Sequence, residues 1–305
     1  MLGYPGLTAE KVTAKDCLLD PSLHKRVVQS NLTLYAPDAA LPLLDLTIEA
    51  ESFGMKPIFK DREAPQIREF QSLQRTISKK GTVSPNRMEL MVQTAKEISS
   101  EIRNVPKGFY VTGPFTVAGQ IIGVEQLLRA LFRQPRQITE LLETCTQRIV
   151  DYARRLMDAG VDFLVMADPS SGLISPEQFE EFAKPSIAKV VEAASKGLVL
   201  HICGRSGHLL RQMAETGAVG LSLDHNVGLA EALDGVPSNV LIFGNYPPTN
   251  IVFKTPKTIA AEVRLMLSAV AGRKNVVVST GCDIPAEAPP ENIRAFMTSA
   301  KSSKK

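Results

Sequence analysis

His201 and Cys203 stand two residues apart at the end of the apolar run Gly197-Leu-Val-Leu, and Gly204 follows them. In an extended strand, side chains at i and i+2 share a face. The imidazole and the thiol therefore project side by side. A second strand-like run, Asn275-Val-Val-Val-Ser-Thr-Gly281-Cys282, ends in another cysteine. Imidazole nitrogen and thiolate sulfur are preferred zinc donors. Three protein donors leave one position of a tetrahedron open, which marks a catalytic zinc rather than a structural one. The bland alternative is a buried histidine with two cysteines acting as small hydrophobes. The position of both motifs at strand ends beside a glycine favours the metal.

Other chemistry-bearing residues fall in similar places. Asp224 and His225 follow the run Ala218–Leu223. Asp224 offers a carboxylate that substrate could displace from an open zinc site; His225 or water could fill the same position, and an ordinary loop is the plain alternative. Asp168 and Ser170 follow the run Val161–Met166 and read either as contacts at the site's mouth or as caps of the next helix. Asn245 follows Asn239–Phe243. Asp224 and Asp168 are the candidates for catalytic roles, and Asn245 and Ser170 for cofactor contacts. Cys17 and Cys145 lie in helix-like contexts and read as buried structural residues, and His208 reads as a helix-face residue. Gly113-Pro114-Phe115-Thr116 reads as a sharp turn after a strand. Dinucleotide fingerprints, phosphate loops and nucleophile elbows are absent from the sequence.

The positioning elements alternate. Gly108–Thr112, Val161–Met166, Leu198–Ile202, Ala218–Leu223, Asn239–Phe243 and Asn275–Ser279 read as strands, and Ala39–Leu46 as a further one that Pro42 weakens. Helices are expected over 124–132, 138–159, 175–194, 206–215, 255–270 and 290–300, the third opened by Ser175-Pro176. Strand–helix alternation predicts an α/β fold with a parallel sheet. Bringing Cys203 and Cys282 to one metal requires the fourth and seventh strands to converge, and closure into a (β/α)8 TIM barrel does this. Seven strands leave one short, so the barrel lacks or replaces its first strand. The chain reads as a single barrel domain over residues 1–305. Residues 1–38 are expected to be irregular, and 61–104, which holds Lys79-Lys80-Gly81, an excursion outside the barrel core.

Composition narrows the class. The chain has 305 residues, 44% of them hydrophobic and 22% charged, enough for a large core. Its net charge of +3 owes part to the tail Lys301-Ser-Ser-Lys304-Lys305, so no nucleic-acid partner follows from it. No apolar run approaches the roughly 18 residues that span a membrane. Four cysteines and the lack of a secretory h-region point to a reducing cytoplasm.

The order of these motifs resembles the uroporphyrinogen decarboxylase superfamily and, within it, the zinc-dependent corrinoid methyltransferases such as methylcobalamin:coenzyme M methyltransferases. The matching pieces are Asp45-Leu-Thr-Ile-Glu49-Ala-Glu-Ser-Phe-Gly54, Gly113-Pro-Phe-Thr116, Ala159-Gly-Val-Asp162 with Asp168, and Ile174-Ser-Pro-Glu-Gln-Phe179. They continue with His201-Ile-Cys203-Gly204, Leu221-Ser-Leu-Asp224, Gly244-Asn245 and Gly281-Cys282. The decarboxylase's N-terminal Arg-Gln-Ala-Gly-Arg is absent, which argues against a substrate with several carboxylates. The resemblance implies zinc on His201, Cys203 and Cys282, with an exchangeable acidic ligand near Asp224. It also implies that residues 1–12 replace the family's first barrel strand or leave the barrel incomplete.

The activity so implied is methyl transfer between a corrinoid, carried on a separate protein, and a small thiol. In it a zinc-held thiolate attacks the cobalt-bound methyl carbon in line. Three alternatives stand beside it: demethylation of an O- or N-methyl substrate onto the corrinoid, a metal-free decarboxylase, and a non-catalytic barrel.

Overall fold

The computed structural model describes residues 2–78, 87–195 and 197–302. The expected Lys79-Lys80-Gly81 run and the last lysines lie outside the described residues. Among the described residues, eight short strands occur: β1 (Pro57–Ile58), β2 (Gln66–Ile67), β3 (Gly108–Thr112), β4 (Phe163–Ala167), β5 (Leu198–Ile202), β6 (Gly220–Leu223), β7 (Leu241–Tyr246) and β8 (Val276–Thr280). β1 and β2 form an antiparallel hairpin apart from the main sheet. β3 to β8 pair in sequence order, all parallel. Parallel strands wound in order, each followed by a helix, build an α/β barrel.

β3, β4 and β5 are buried almost throughout, as near-continuous apolar runs covered on both faces require. The expected strand at Ala39–Leu46 shrinks to one bridge. The Ala40 N–H donates to the Pro106 carbonyl at 2.8 Å, and Ala40 accepts from the Gly108 N–H at 2.9 Å. Pro42 has no N–H to extend the ladder. Residues 2–4 are not a strand, yet they fill the seam between this segment and the far edge of the sheet. A Cβ on Gly3 would lie 2.7 Å from the Pro42 carbonyl, and the Gly3 N–H donates to Asp283 Oδ1 at 3.3 Å.

The irregular segment expected over 1–38 is instead helical, at Pro5–Glu10, Ala14–Leu19 and Pro21–Tyr35. Asp20-Pro21, which looks like a chain breaker, starts a helix. The Asp20 carboxylate caps the Leu23 N–H at 3.0 Å, and proline suits the first turn. Within 61–104, the helix Arg87–Glu101 packs against Pro21–Tyr35 and Pro135–Asp158 and buries Met88, Met91, Val92, Ala95 and Ile98. That part belongs to the outer helical layer rather than to an excursion. Gly113-Pro114 is likewise no simple turn: Pro114–Ile122 is a helix buried on nearly every side.

The helix expected over 175–194 is interrupted. Ser175 and Gln178 form a reciprocal capping box, and a wider π-helical turn spans Phe179–Ala183 before Lys184–Ala193 resumes. Pro185 cannot donate and its ring crowds the carbonyl of Glu181, so a widened turn relieves the clash. A large core lies under most of the barrel. A smaller cluster around Tyr246, Ile259, Ile293 and Phe296 packs beneath the last helices, and the Tyr246 and Phe296 rings are 5.6 Å apart. Among the described residues, no helix is long and apolar enough to cross a membrane.

Candidate metal centre

Strand register builds the centre. His201 on β5 is paired with Ser222 on β6, and Ile202 with Leu223, so Cys203 and Asp224 leave their strands side by side. Cys282 follows β8. His201, Cys203 and Cys282 each bring a ligand atom within 4.8 Å of the others. The two sulfurs are 3.9 Å apart. The fold has therefore brought the ends of strands distant in sequence to one point.

The histidine is oriented for a metal. Its Nδ1 lies 3.0 Å from the Ser222 carbonyl and 3.1 Å from Ser222 Oγ. A proton on Nδ1 donated to that carbonyl leaves a lone pair on Nε2. Nε2 is buried and without a hydrogen-bond partner. Burying such an acceptor unpaired costs about 1–3 kcal/mol, and a bound cation removes that cost. A neutral imidazole and two thiols are a fitting zinc donor set. The thiols titrate as a pair. The Cys203 S–H beside Cys282, helped by His201, holds the Cys282 thiol well below the usual range, and the Cys203 proton is correspondingly harder to remove.

Asp224 meets the cluster at Cys203, whose Sγ is 3.2 Å from Asp224 Oδ2. Asp224 Oδ1 accepts from the Asn226 N–H at 2.9 Å and lies 3.0 Å from Nδ1 of His225. Burial works against its charge, but the N–H groups of Asn226 and Gly204 and the Cys203 thiol outweigh it, so its carboxyl is held below the usual range. His225 is the more exposed neighbour.

Asn245 acts from behind: its amide donates to the carbonyls of Asp224 at 2.9 Å and Val227 at 2.6 Å, pinning the loop that carries Asp224. Gly281 sits against the same loop. A Cβ there would lie 2.5 Å from the His225 nitrogen, so only glycine lets the end of β8 lie so close to the Asp224 loop.

Asp168 and Ser170 occupy the end of β4. Asp168 Oδ1 accepts from the N–H and the hydroxyl of Thr116 at 2.7 and 2.6 Å, which caps the helix Pro114–Ile122, while Oδ2 is buried without a partner. Burial pushes its carboxyl up to about 6. The Ser170 N–H donates to Thr116 Oγ1 at 3.0 Å. Cys17 and Cys145 are fully buried and not part of the cluster, and burial raises both thiols. His208 places its two ring nitrogens 3.1 Å from the carbonyls of Arg205 and Ile174.

Two residues at the centre escaped the reading of the sequence. Ser222 orients His201; its signal was the polar pair Ser222/Asp224, spaced like His201/Cys203 in an otherwise apolar strand. Tyr110 on β3 carries a buried hydroxyl with no partner; burial raises it, and Asp283 and Cys282 raise it further. A tyrosine in an apolar strand carries no sequence signal for this.

A model of the uroporphyrinogen decarboxylase (URO-D) family matches residues 4–303, and the chain belongs to that family. It is 29% identical over 289 residues to a methylcobamide:CoM methyltransferase, MtbA, of Methanosarcina acetivorans, covering 91% of this chain and 84% of that protein. It is 26% identical over 296 residues to a uroporphyrinogen decarboxylase of Synechococcus sp. strain CC9605, covering 93% and 83%. A solved methyltransferase structure from Methanosarcina mazei superposes with a TM-score of 0.91 at 22% identity, over 100% of this chain and 92% of that one, which places the fold.

Proposed function

We propose that this enzyme is a zinc-dependent methyltransferase moving a methyl group between a corrinoid, carried on a separate protein, and a small thiol such as coenzyme M. The methyltransferase class rests on relatives such as MtbA. The observation that carries the zinc reading is His201: its Nδ1 is held by Ser222 and its Nε2 is buried, unpaired and grouped with two sulfurs. His201, Cys203 and Cys282 would hold the ion, with Asp224 beside the exchangeable position. Bound zinc supplies a Lewis acid that lets a substrate thiol exist as a thiolate at neutral pH.

The protein's own part is positioning and exclusion of water. Ser222 fixes the ring of His201, and Asn245 with Asn226 fixes Asp224. A carboxylate held in its charged form accepts the proton of an arriving thiol or makes room for its sulfur. Asp168 keeps a free carboxylate oxygen at the end of β4. We assign Asp168 and Asp224 to catalysis, Ser170 to the corrinoid-facing mouth, and Asn245 to holding the Asp224 loop that borders it. Two intact thiols suit a reducing cytoplasm.

The decarboxylase reading is weaker at this site. The buried arginine, Arg87, is engaged with Asp45 and Glu51 and does not serve a polycarboxylate substrate.

Metal analysis tests the proposal. Purified protein is expected to hold about one zinc per chain, lost in His201→Ala/Cys282→Ala, and to consume methylcobalamin when given coenzyme M. A Cys203→Ser variant that kept both metal and turnover would sink the zinc site. A zinc-loaded protein that demethylates an O- or N-methyl compound but ignores thiols would reverse the proposed direction.

A further inference from the structure

Cys282 is tied to the sheet on its inner side, where the Gly281 N–H donates to the Tyr246 carbonyl at 2.9 Å and Thr280 Oγ1 donates to the Cys282 carbonyl at 2.6 Å. It lies past the end of β8, one of the two edge strands of the parallel ladder. Gly281 secures its inner side against the Asp224 loop. Its outer side meets a different part of the chain. The Gly3 N–H donates to Oδ1 of Asp283, the residue after Cys282, at 3.3 Å. Thr8 Oγ1 donates to the Ala286 carbonyl at 2.7 Å, and Arg62 reaches the same carbonyl at 3.1 Å.

The stretch is itself anchored on the opposite flank. Tyr4 donates its hydroxyl to the Leu44 carbonyl at 2.8 Å. The Asn31 side-chain amide donates to the carbonyls of Leu2 and Gly3, each at 2.9 Å. Gly3 and Gly6 lie so close to Pro42 and Val27 that a Cβ on either would fall under 3 Å from a carbonyl oxygen. Residues 2–8 thus bridge the segment 42–44 and the loop 283–286.

We propose that Leu2–Thr8 is a positioning element of the metal centre: through Gly3–Asp283 and Thr8–Ala286 it holds the Cys282 sulfur at ligand distance from His201 and Cys203. This rests on the metal-centre reading above. β8 holds the inner side of the Cys282 loop, and these two hydrogen bonds hold its outer side. Asp283 is a positioning residue: its role is to accept from Gly3, and an amide oxygen serves as well as a carboxylate.

The test compares the full chain with Asp283→Ala, Asp283→Asn and Thr8→Val. Zinc affinity is read by competition with a chromophoric chelator, and cobalt(II) substitution reads thiolate coordination through the sulfur-to-cobalt charge-transfer band. Thermal unfolding of each metal-free protein controls for loss of fold. Asp283→Ala is expected to bind zinc roughly 10–100-fold more weakly, the usual effect of removing a group that orients a ligand, and to weaken the charge-transfer band. Asp283→Asn should rescue both readouts, and Thr8→Val should weaken zinc in the same direction as Asp283→Ala while leaving the metal-free melt near wild type. If Asp283→Ala does not fold, Thr8→Val decides by the same readouts.

Unchanged zinc affinity in both Asp283→Ala and Thr8→Val would overturn the inference. So would an Asp283→Asn variant as defective as Asp283→Ala, because the charge rather than the tether would then matter. Wild-type protein unable to bind zinc or cobalt would overturn this inference and the metal-centre reading together. Wild-type protein with one zinc and unaffected variants would overturn the inference alone.

Discussion

His24 makes the fold sensitive to mild acid in a way that can be calculated. It lies fully buried on the helix Pro21–Tyr35, and its Nε2 accepts the Leu43 N–H at 2.9 Å. Protonation would set an N–H against an N–H in an apolar site. Burial accordingly lowers the ring from 6.5 to about 3. The unfolded chain takes up this proton below pH 6.5 and the folded chain only near 3, so His24's contribution is complete above 6.5 and is lost as pH falls toward 3. The slope approaches about 1.4 kcal/mol per pH unit. Between pH 7.5 and 5 the loss integrates to about 2 kcal/mol. Glu49 and Asp168, raised by burial to about 7 and about 6, act in the opposite sense, because their folded forms bind protons more readily. The net curve therefore mixes signs, and the informative quantity is the difference between wild type and His24→Gln. The chain has no tryptophan, so urea unfolding is best followed by far-UV circular dichroism at both pH values. Wild type should lose about 2 kcal/mol more than His24→Gln over that interval. Identical pH dependence in the two proteins would refute the reasoning.

Two further substitutions probe the frame of the site. Arg87→Met strands the buried Asp45 carboxylate and removes the Arg87 bond to Thr47, which should cost about 3–5 kcal/mol in a denaturant titration; Arg87→Met/Asp45→Leu should recover much of it, and a single variant as stable as wild type would contradict the buried pairing. Gly281→Ala drives a Cβ into the backbone of Asp224 and His225, which should lower stability by roughly 1–3 kcal/mol and reduce bound zinc; a variant with normal melting and full zinc content would show that the close approach is not needed.

Much of the barrel was legible because a buried parallel strand is written as an apolar run. Gly108–Thr112 and Leu198–Ile202 are strands with the boundaries their sequences suggest. His201, Cys203 and Cys282 were legible as a group because strand ends and period-two spacing are local features, and the structure brings their ligand atoms within 4.8 Å of one another. The N-terminal helices were hidden because Asp20-Pro21 has the composition of a turn while acting as a cap. The buried helix Pro114–Ile122 was hidden for a related reason: a helix covered on all sides shows no amphipathic period. Ser222 and Asp283 gain their roles from pairing register and from a contact with residue 3, neither of which a sequence window contains.

The 3.9 Å between the sulfurs of Cys203 and Cys282 also sets a chemical hazard. A disulfide needs about 2.0 Å, and a thiol that ionises readily beside another is the usual starting point for oxidation. If the proposed zinc ion binds, it would occupy lone pairs on both sulfurs and so would also serve as a protecting group. Metal-stripped protein left in air would close the cystine, and zinc offered afterwards would find a single histidine. Purification under a reductant, without strong chelators, is thus a condition for testing the proposed metal site.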